Sequence, residues 1–172
     1  LIRLRRVVTS VALATTGFAL ASTESIDNNF FGTGAGNEAS TTGGSNSFFG
    51  AIAGDVTTTG YSNTFVGYGA GQANTTGTSN VFSGTSAGYP NTGGDYNVFS
   101  GYQAGFNNSH GTYNVFSGAF AGLTNTTGSS NTALGSWTDL GAADLTNATA
   151  IGTYSRVDQS NSLVLGSVNG VN

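Results

Sequence analysis

The sequence predicts an all-β fold: a parallel β-solenoid with about 17-residue coils, an internal ladder of phenylalanines and a non-repeating N-terminal arm. Three observations lead to this prediction. A five-residue motif recurs at a nearly constant interval, a phenylalanine stands at its centre, and glycine-rich polar segments separate its copies. A unit this short and this rich in glycine does not suit a pair of helices, but it suits one coil of a solenoid.

The motif is Asn-x-Phe-x-Gly. Six copies begin at Asn28, Asn46, Asn63, Asn80, Asn97 and Asn114, so that the intervals between them are 18, 17, 17, 17 and 17. Two further copies at 131–135 and 148–152 keep the 17-residue interval but carry alanine in place of phenylalanine, and a last copy at 162–166 follows at a shorter, 14-residue interval. Because the closing glycine occurs nine times, residues 24–172 are predicted to form a solenoid of about nine coils.

Each part of the repeat predicts one part of a coil. The motif predicts a short strand whose side chains alternate between two faces. An Ala-Gly pair begins at the third position after the closing glycine, and a polar tract such as Asn-Thr-Thr-Gly at 74–77 follows it. We expect these glycines and this tract to form corners, where left-handed backbone geometry is needed. Nine coils stacked about 4.8 Å apart would give a rod of roughly 40 Å.

Stacking turns each position of the repeat into a column along the rod. The inward column is predicted to consist of Phe30, Phe48, Phe65, Phe82, Phe99 and Phe116. Burial of each ring stabilises the fold by about 1.5–3 kcal/mol. The asparagines that open the motif are predicted to form an amide ladder that satisfies buried polar groups from coil to coil: Asn46, Asn63, Asn80, Asn97, Asn114 and Asn131. The residue after the phenylalanine varies, and its column faces either solvent or another chain.

Composition argues against several functional classes. Only 7% of the residues are charged and there is no cysteine, so neither a disulfide framework nor a thiolate metal site can form, and the basic surface that nucleic-acid binding needs is missing. His110 lies in a turn, and the acidic residues fall in different columns: Glu38, Asp55, Asp95, Asp139, Asp144 and Asp158. We therefore expect no catalytic residues, no cofactor, no metal site and no enzymatic activity.

Two polar features concern the surface. Asn74, Asn107, Asn125 and Asn147 lie in Asn-x-Ser/Thr sequences, which glycosylation recognises but which are also typical of turns. Six tyrosines fall in flanking and turn columns, where they either suit contact with a protein or glycan or occupy spare positions of the rod: Tyr61, Tyr68, Tyr89, Tyr96, Tyr102 and Tyr113.

Residues 1–23 do not repeat. Arg3, Arg5 and Arg6 precede the apolar segment 7–20, and the small residues of Ala-Leu-Ala at 19–21 follow, an order typical of a secretory signal peptide. This predicts an extracellular or cell-surface location. The alternative is a retained arm, which is either a capping element or a strand or helix that docks on a neighbouring subunit. The net charge of the remaining chain, 1 − 8 = −7, would attract this basic arm.

The C-terminal repeats resemble a known group of proteins. Ala-Thr-Ala-Ile-Gly at 148–152 and Ser-Asn-Ser-Leu-Val-Leu-Gly-Ser at 160–167 are similar to the head repeats of trimeric autotransporter adhesins and to repeats of phage tail fibres and related bacterial surface proteins. The resemblance is best over 131–167 and looser over 28–130. It implies a parallel β-roll, often trimeric, that works in adhesion or receptor binding.

Three functions follow from these features. The first is a structural subunit of a secreted filament, a homopolymer that assembles by end-to-end stacking of solenoids and docking of the arm through Arg3, Arg5 and Arg6. The alternative is a homotrimeric adhesin or tail-fibre head that binds a glycan or protein on a cell surface. A third is an ice-binding solenoid, because threonines recur in a column at Thr42, Thr59, Thr76 and Thr127.

Overall fold

The computed structural model describes residues 28–36 and 41–166, and within these ranges the chain forms strands and turns without a helix. Nine short strands make one parallel sheet in chain order: β1 (Asn29–Phe31), β2 (Ser47–Phe49), β3 (Thr64–Val66), β4 (Val81–Ser83), β5 (Val98–Ser100), β6 (Val115–Ser117), β7 (Thr132–Leu134), β9 (Thr149–Ile151) and β11 (Leu163–Leu165). A second, two-stranded parallel sheet pairs β8 (Asp139–Leu140) with β10 (Arg156–Val157).

Every strand of the large sheet pairs with its neighbour in the same register. Phe82 lies opposite Phe99, and Phe99 lies opposite Phe116, so each step along the sheet advances the chain by one complete repeat. Nine strands therefore enclose eight coils of one repeat each, and the predicted parallel β-solenoid is confirmed. The predicted arm at 1–23 lies outside the described residues.

The corners of a coil need left-handed backbone at fixed places. We number the residues of each coil from the asparagine that opens the motif, so that the phenylalanine is position 3. In the coil 97–113, φ is positive at positions 5, 7, 9 and 17: Gly101 (138°), Gln103 (53°), Gly105 (62°) and Tyr113 (58°). Positions 5 and 9 are the glycines expected at corners.

The glycine of the Asn-Thr-Thr-Gly tract, at position 15, has another role than the one expected. Gly111 does not have a positive φ, but a Cβ atom there would overlap the backbone carbonyl of Gly128 in the next coil and the side-chain amide of Asn108. The expectation of left-handed geometry at this glycine was wrong. Glycine is required at this position because the next coil and a buried side-chain amide lie too close to its Cα atom to leave room for a side chain.

Backbone hydrogen bonds join the coils around most of their circumference. The N–H groups at positions 5, 7 and 17 donate to the preceding coil, as in Gly101 to Ser83 (2.8 Å) and Tyr113 to Asp95 (3.0 Å). The N–H groups at positions 2 and 9 donate to the following coil, as in Val98 to Asn114 (2.9 Å). Corners as well as strands therefore form ladders, which satisfies the buried backbone groups of a chain with little regular secondary structure.

Candidate functional site

The predicted phenylalanine column forms the core of the rod. Phe48, Phe65, Phe82, Phe99 and Phe116 are fully buried, and Phe30 in the first described coil is partly buried. Successive ring centroids lie 4.7–4.9 Å apart, and their planes are within 8° of parallel. Buried alanines face these rings at position 8: Ala35, Ala53, Ala70, Ala87, Ala104 and Ala121.

Each phenylalanine requires a glycine in its own coil. A Cβ atom on Gly105 would lie 2.5 Å from two ring carbons of Phe99, and the position-9 glycines of the other phenylalanine-containing coils meet their own rings in the same way. The Ala-Gly pair of the repeat therefore marks the place where the ring packs flat against bare backbone.

The asparagines that open the motif bind both their own coil and the next. The Asn97 side-chain amide donates to the Gly111 carbonyl (2.8 Å), and its oxygen accepts the backbone N–H of Asn114 (2.9 Å). The same pair of contacts recurs from Asn46 to Asn131, and all six asparagines are fully buried. The predicted ladder exists, although it runs mainly from side chain to backbone.

A second asparagine ladder, at position 12, was missed. Asn91 donates to the side-chain oxygen of Asn74 (2.7 Å), Asn108 to Asn91 (2.9 Å) and Asn125 to Asn108 (2.6 Å). Each also donates to the position-15 glycine carbonyl of its own coil. The signal in the sequence is the recurrence of Asn-x-x-Gly at 74–77, 91–94, 108–111 and 125–128. Turns favour the same residues, so this pattern alone does not distinguish a ladder from a solvent-exposed turn.

This second ladder separates the four glycosylation sequences into two classes. Asn74 and Asn125 are fully buried, and their amides are engaged in the ladder. Asn107 and Asn147 are exposed, with side chains that donate to the Leu123 carbonyl (2.7 Å) and to Asn161 (3.0 Å). A glycan on Asn74 or Asn125 is incompatible with the folded coil, whereas the other two sites are accessible.

Two acidic side chains join coils. Asp95 accepts the backbone N–H of Thr78 (2.7 Å) and its hydroxyl (3.0 Å), and Asp139 accepts the same two groups of Thr124 (2.9 and 2.6 Å). Their oxygens thus complete the backbone ladder at corners, where the carboxylate replaces a carbonyl acceptor.

The remaining charged groups lie at the surface. Arg156 pairs with Asp158 (2.7 Å), and the hydrogen bond and charge of that carboxylate raise the pKa of the arginine. His110 is exposed and contacts Thr92 and Ser109. Within 28–36 and 41–166 no three His, Cys, Asp or Glu side chains are grouped as a metal site would require, and no helix could cross a membrane. Glu38, Arg3, Arg5 and Arg6 lie outside the described residues.

The threonine column that suggested ice binding is interrupted. Thr59, Thr76 and Thr127 are exposed at position 14, but Gly93 and His110 occupy that position in the two coils between them. In the neighbouring column, the hydroxyls of Thr58 and Thr75 donate to carbonyls of the following coil (2.9 and 2.8 Å). Ice binding stays a prediction.

Aromatic side chains also stack outside the core. Tyr96 and Tyr113 are parallel with centroids 5.0 Å apart, and both are at least half exposed. Phe120 stacks on Trp137 (4.1 Å) and meets Tyr102 edge to face (5.1 Å). Stacking covers the faces of these rings and leaves their edges outward. The stacked rings therefore stabilise the contact between neighbouring coils, and they offer few flat ring faces to a sugar.

The outer surface of the large sheet consists of positions 2 and 4. Position 4, the variable column, is exposed or half-buried throughout: Phe31, Phe49, Val66, Ser83, Ser100, Ser117, Leu134, Ile151 and Leu165. Position 2 is similarly outward: Asn29, Ser47, Thr64, Val81, Val98, Val115, Thr132, Thr149 and Leu163. We call these two columns together the sheet face. Whether solvent or another chain covers position 4 stays a prediction.

Comparisons with known proteins add no relative. No protein-family model, no curated protein and no solved structure matches the chain.

Proposed function

We propose that the chain is a structural subunit of a secreted extracellular filament in which solenoids stack end to end. The observation that carries this proposal is the uniform, directional ladder between coils. Inner coils such as 97–113 donate N–H groups both to the coil before them and to the coil after them. A coil of another copy placed on β1 or β11, the edge strands of the large sheet, could continue the same pattern.

The way in which the polar side chains are used supports a structural role. Buried asparagines at positions 1 and 12 and the carboxylates of Asp95 and Asp139 bind backbone groups or one another across coils. These are contacts that hold coils in register. The rod also has a core one side chain wide, so its stability depends on neighbours above and below, which favours continued stacking over isolated units.

Electron microscopy of the purified full chain tests the proposal. We expect unbranched fibres whose length grows with protein concentration. Replacing Leu163 and Leu165 by lysine places charges on an edge strand, where side chains are 62% and 70% exposed, and should abolish fibres. Lysine at Val98 and Ser100, the same two positions of the central strand β5, is the matched control: it places the same two charges on the sheet face but away from both ends, and it should leave fibres intact. Compact particles at every concentration would contradict the filament.

A separate experiment tests the proposed arm. If Arg3, Arg5 and Arg6 dock on the acidic body of the next copy, replacing all three by glutamate should weaken assembly, most strongly at low salt. Fibres that form with unchanged concentration and salt dependence would argue against the arm while leaving end-to-end stacking intact.

The second candidate function is a trimeric adhesin or tail-fibre head. The exposed apolar side chains of the sheet face favour it, since three chains could bury this surface around a common axis. Analytical ultracentrifugation distinguishes the two candidates, because a head gives one discrete trimer whereas a filament gives a broad distribution of masses that shifts with concentration.

A further inference from the structure

The sheet face is free of charge along its whole length. Its 18 side chains include no acidic or basic residue, whereas the charged residues of 28–36 and 41–166 occupy other positions of the coil. Nine of the 18 are large apolar side chains between 37% and 70% exposed: Phe31, Phe49, Val66, Val81, Val98, Val115, Ile151, Leu163 and Leu165.

The apolar side chains change columns along the rod. In β1 to β3 and again in β7 and β9, position 4 is apolar and position 2 is polar. In β4 to β6 the order is reversed, with valine at position 2 and serine at position 4. The pattern is therefore nearly symmetric about β5, the fifth of nine strands, and departs from symmetry only at Leu163 in β11.

We propose that the sheet face is the interface between two antiparallel copies of this chain, related by a twofold axis that runs along the strand direction of β5. This axis makes the two rods run in opposite directions. Position 2 of one copy then faces position 2 of the other, and position 4 faces position 4. Val81 of one copy then lies opposite Val115 of the other, and Phe49 lies opposite Ile151. Every apolar side chain of the face meets another apolar side chain, except Leu163, which lies opposite Asn29. Between β2 and β9, the hydroxyl side chains of the two copies likewise meet one another.

Parallel copies do not give this match. A twofold axis along the rod places position 2 opposite position 4 at the same level, which sets Val98 against Ser100 and Ser47 against Phe49. In every strand of the large sheet except β11, an apolar side chain would then face a polar side chain of the other copy. The change of the apolar side chains from position 4 to position 2 and back therefore matches the two copies in antiparallel pairing and mismatches them in parallel pairing.

The size of the face suits a weak, reversible contact between copies. The face is about 40 Å long and about 10 Å wide, on the order of 400 Å² per copy, so pairing buries on the order of 800 Å² in total, less than the roughly 1,200 Å² at which stable interfaces begin. Charge favours the antiparallel orientation: residues 131–166 carry three aspartates and one arginine, −3 + 1 = −2, whereas residues 28–36 and 41–50 carry no charged side chain. Antiparallel copies pair the acidic C-terminal part with the neutral N-terminal part, whereas parallel copies pair two acidic parts.

The inference deepens the proposed filament by naming its lateral contact. Two rods can pair without stacking end to end, so the two proposals fail separately: fibres are observed by microscopy, and pairs by cross-linking and sedimentation of the soluble full chain.

Cross-linking identifies the orientation, because the chain has no native cysteine. Thr64→Cys and Thr132→Cys are made as separate variants. Antiparallel pairing puts residue 64 of one copy opposite residue 132 of the other, so a short bis-maleimide, which spans the roughly 10 Å between facing sheets, should join the two variants when mixed and neither variant to itself. End-to-end stacking leaves these two residues five strand spacings apart, about 24 Å, which is beyond the reach of the reagent. Thr59→Cys mixed with Thr127→Cys, which lie in another column, should give no product. Homodimers of Thr64→Cys would show parallel copies and overturn the proposal.

Sedimentation measures the contact itself. At concentrations below those at which fibres appear, the full chain should shift from monomer to dimer as concentration rises. Val98→Glu, which brings two carboxylates together at the axis, should raise the dissociation constant of this dimer tenfold or more. Thr127→Glu adds the same charge away from the face and should leave it unchanged. Circular dichroism confirms that both variants fold. A monomer at all concentrations, or a trimer, would overturn the proposal.

Discussion

The first six coils and the following coil fill the interior of the rod with different residues. In residues 28–130 a phenylalanine at position 3 packs against glycine at position 9. In the coil that begins at residue 131, Ala133 replaces the ring, and Asp139 stands at position 9 without a positive φ. There the backbone straightens into β8, and the fully buried Leu140 supplies the volume that the ring no longer fills.

A second exchange occurs in the same coil. Where position 12 is asparagine, position 15 is glycine, because a Cβ atom there would overlap the amide oxygen, as at Gly128 beside Asn125. In the coil from 131, position 12 is Ala142 and position 15 is Leu145, whose side chain is buried. The comparison teaches that the repeat contains two pairs of packing partners, Phe with Gly and Asn with Gly, and that both pairs are replaced in the coil from 131. Position 12 can also change alone, since the coil from 46 has Thr57 there and keeps Gly60 at position 15, where the carbonyl of Gly77 in the next coil leaves no room for a side chain.

The largest expected effect tests whether the ring is the core of the first region. Phe99→Ala removes a fully buried ring stacked on both sides and should cost about 3–5 kcal/mol of unfolding free energy. Denaturant unfolding followed by circular dichroism measures it. Tyr102→Ala, which truncates a half-exposed ring in the same coil, should cost about 0.5 kcal/mol. Similar losses for the two variants would contradict a phenylalanine core.

The second prediction concerns the asparagine pair. Asn108 donates to Asn91 and Gly111 and accepts from Asn114 and Asn125. Asn108→Ala leaves buried donors and acceptors without partners and should cost about 3 kcal/mol in the same measurement. The neighbouring Asn107→Ala is the control; it removes one exposed hydrogen bond and should cost about 0.5 kcal/mol. Equal effects would mean that the ladder contributes little.

The third prediction breaks the coupling between ring and glycine. Gly105→Ala introduces a Cβ atom against Phe99 and a side chain at positive φ, and should cost about 2–3 kcal/mol. With Phe99→Ala already present, the clash with the ring disappears, and the added cost should fall to about 1 kcal/mol. A double-mutant cycle gives the coupling energy. Strict additivity would show that the two positions are independent and that their joint exchange in the coil from 131 has another cause.

The smallest expected effect extends the ladder by one coil. Thr57 occupies position 12, where its buried hydroxyl has no hydrogen-bond partner. Thr57→Asn could donate to the Gly60 carbonyl and accept from Asn74, and should stabilise the fold by about 1 kcal/mol. Thr57→Val, which only removes the hydroxyl, should stabilise it less. If valine stabilises as much as asparagine, the gain comes from removing a buried polar atom alone.

Much of the fold could be predicted from the spacing of a single residue type. Phenylalanines at a 17-residue interval predicted the coil length, the register of the sheet and the buried column, because only a solenoid brings such positions into contact. The function of the position-15 glycines could not be predicted in this way. Their small size accommodates a carbonyl of the next coil and an amide from elsewhere in their own coil, and neither is an adjacent residue in the sequence.

The sequence by itself determined that coils stack, which side chains lie inside and where the chain turns, since these depend on a local pattern repeated at a fixed interval. Only the tertiary structure decided which of the polar columns form ladders, which glycines are needed for close approach and which outward side chains share one uncharged face. Those properties depend on distances between successive coils and across each coil, and such distances exist only after the chain has wound.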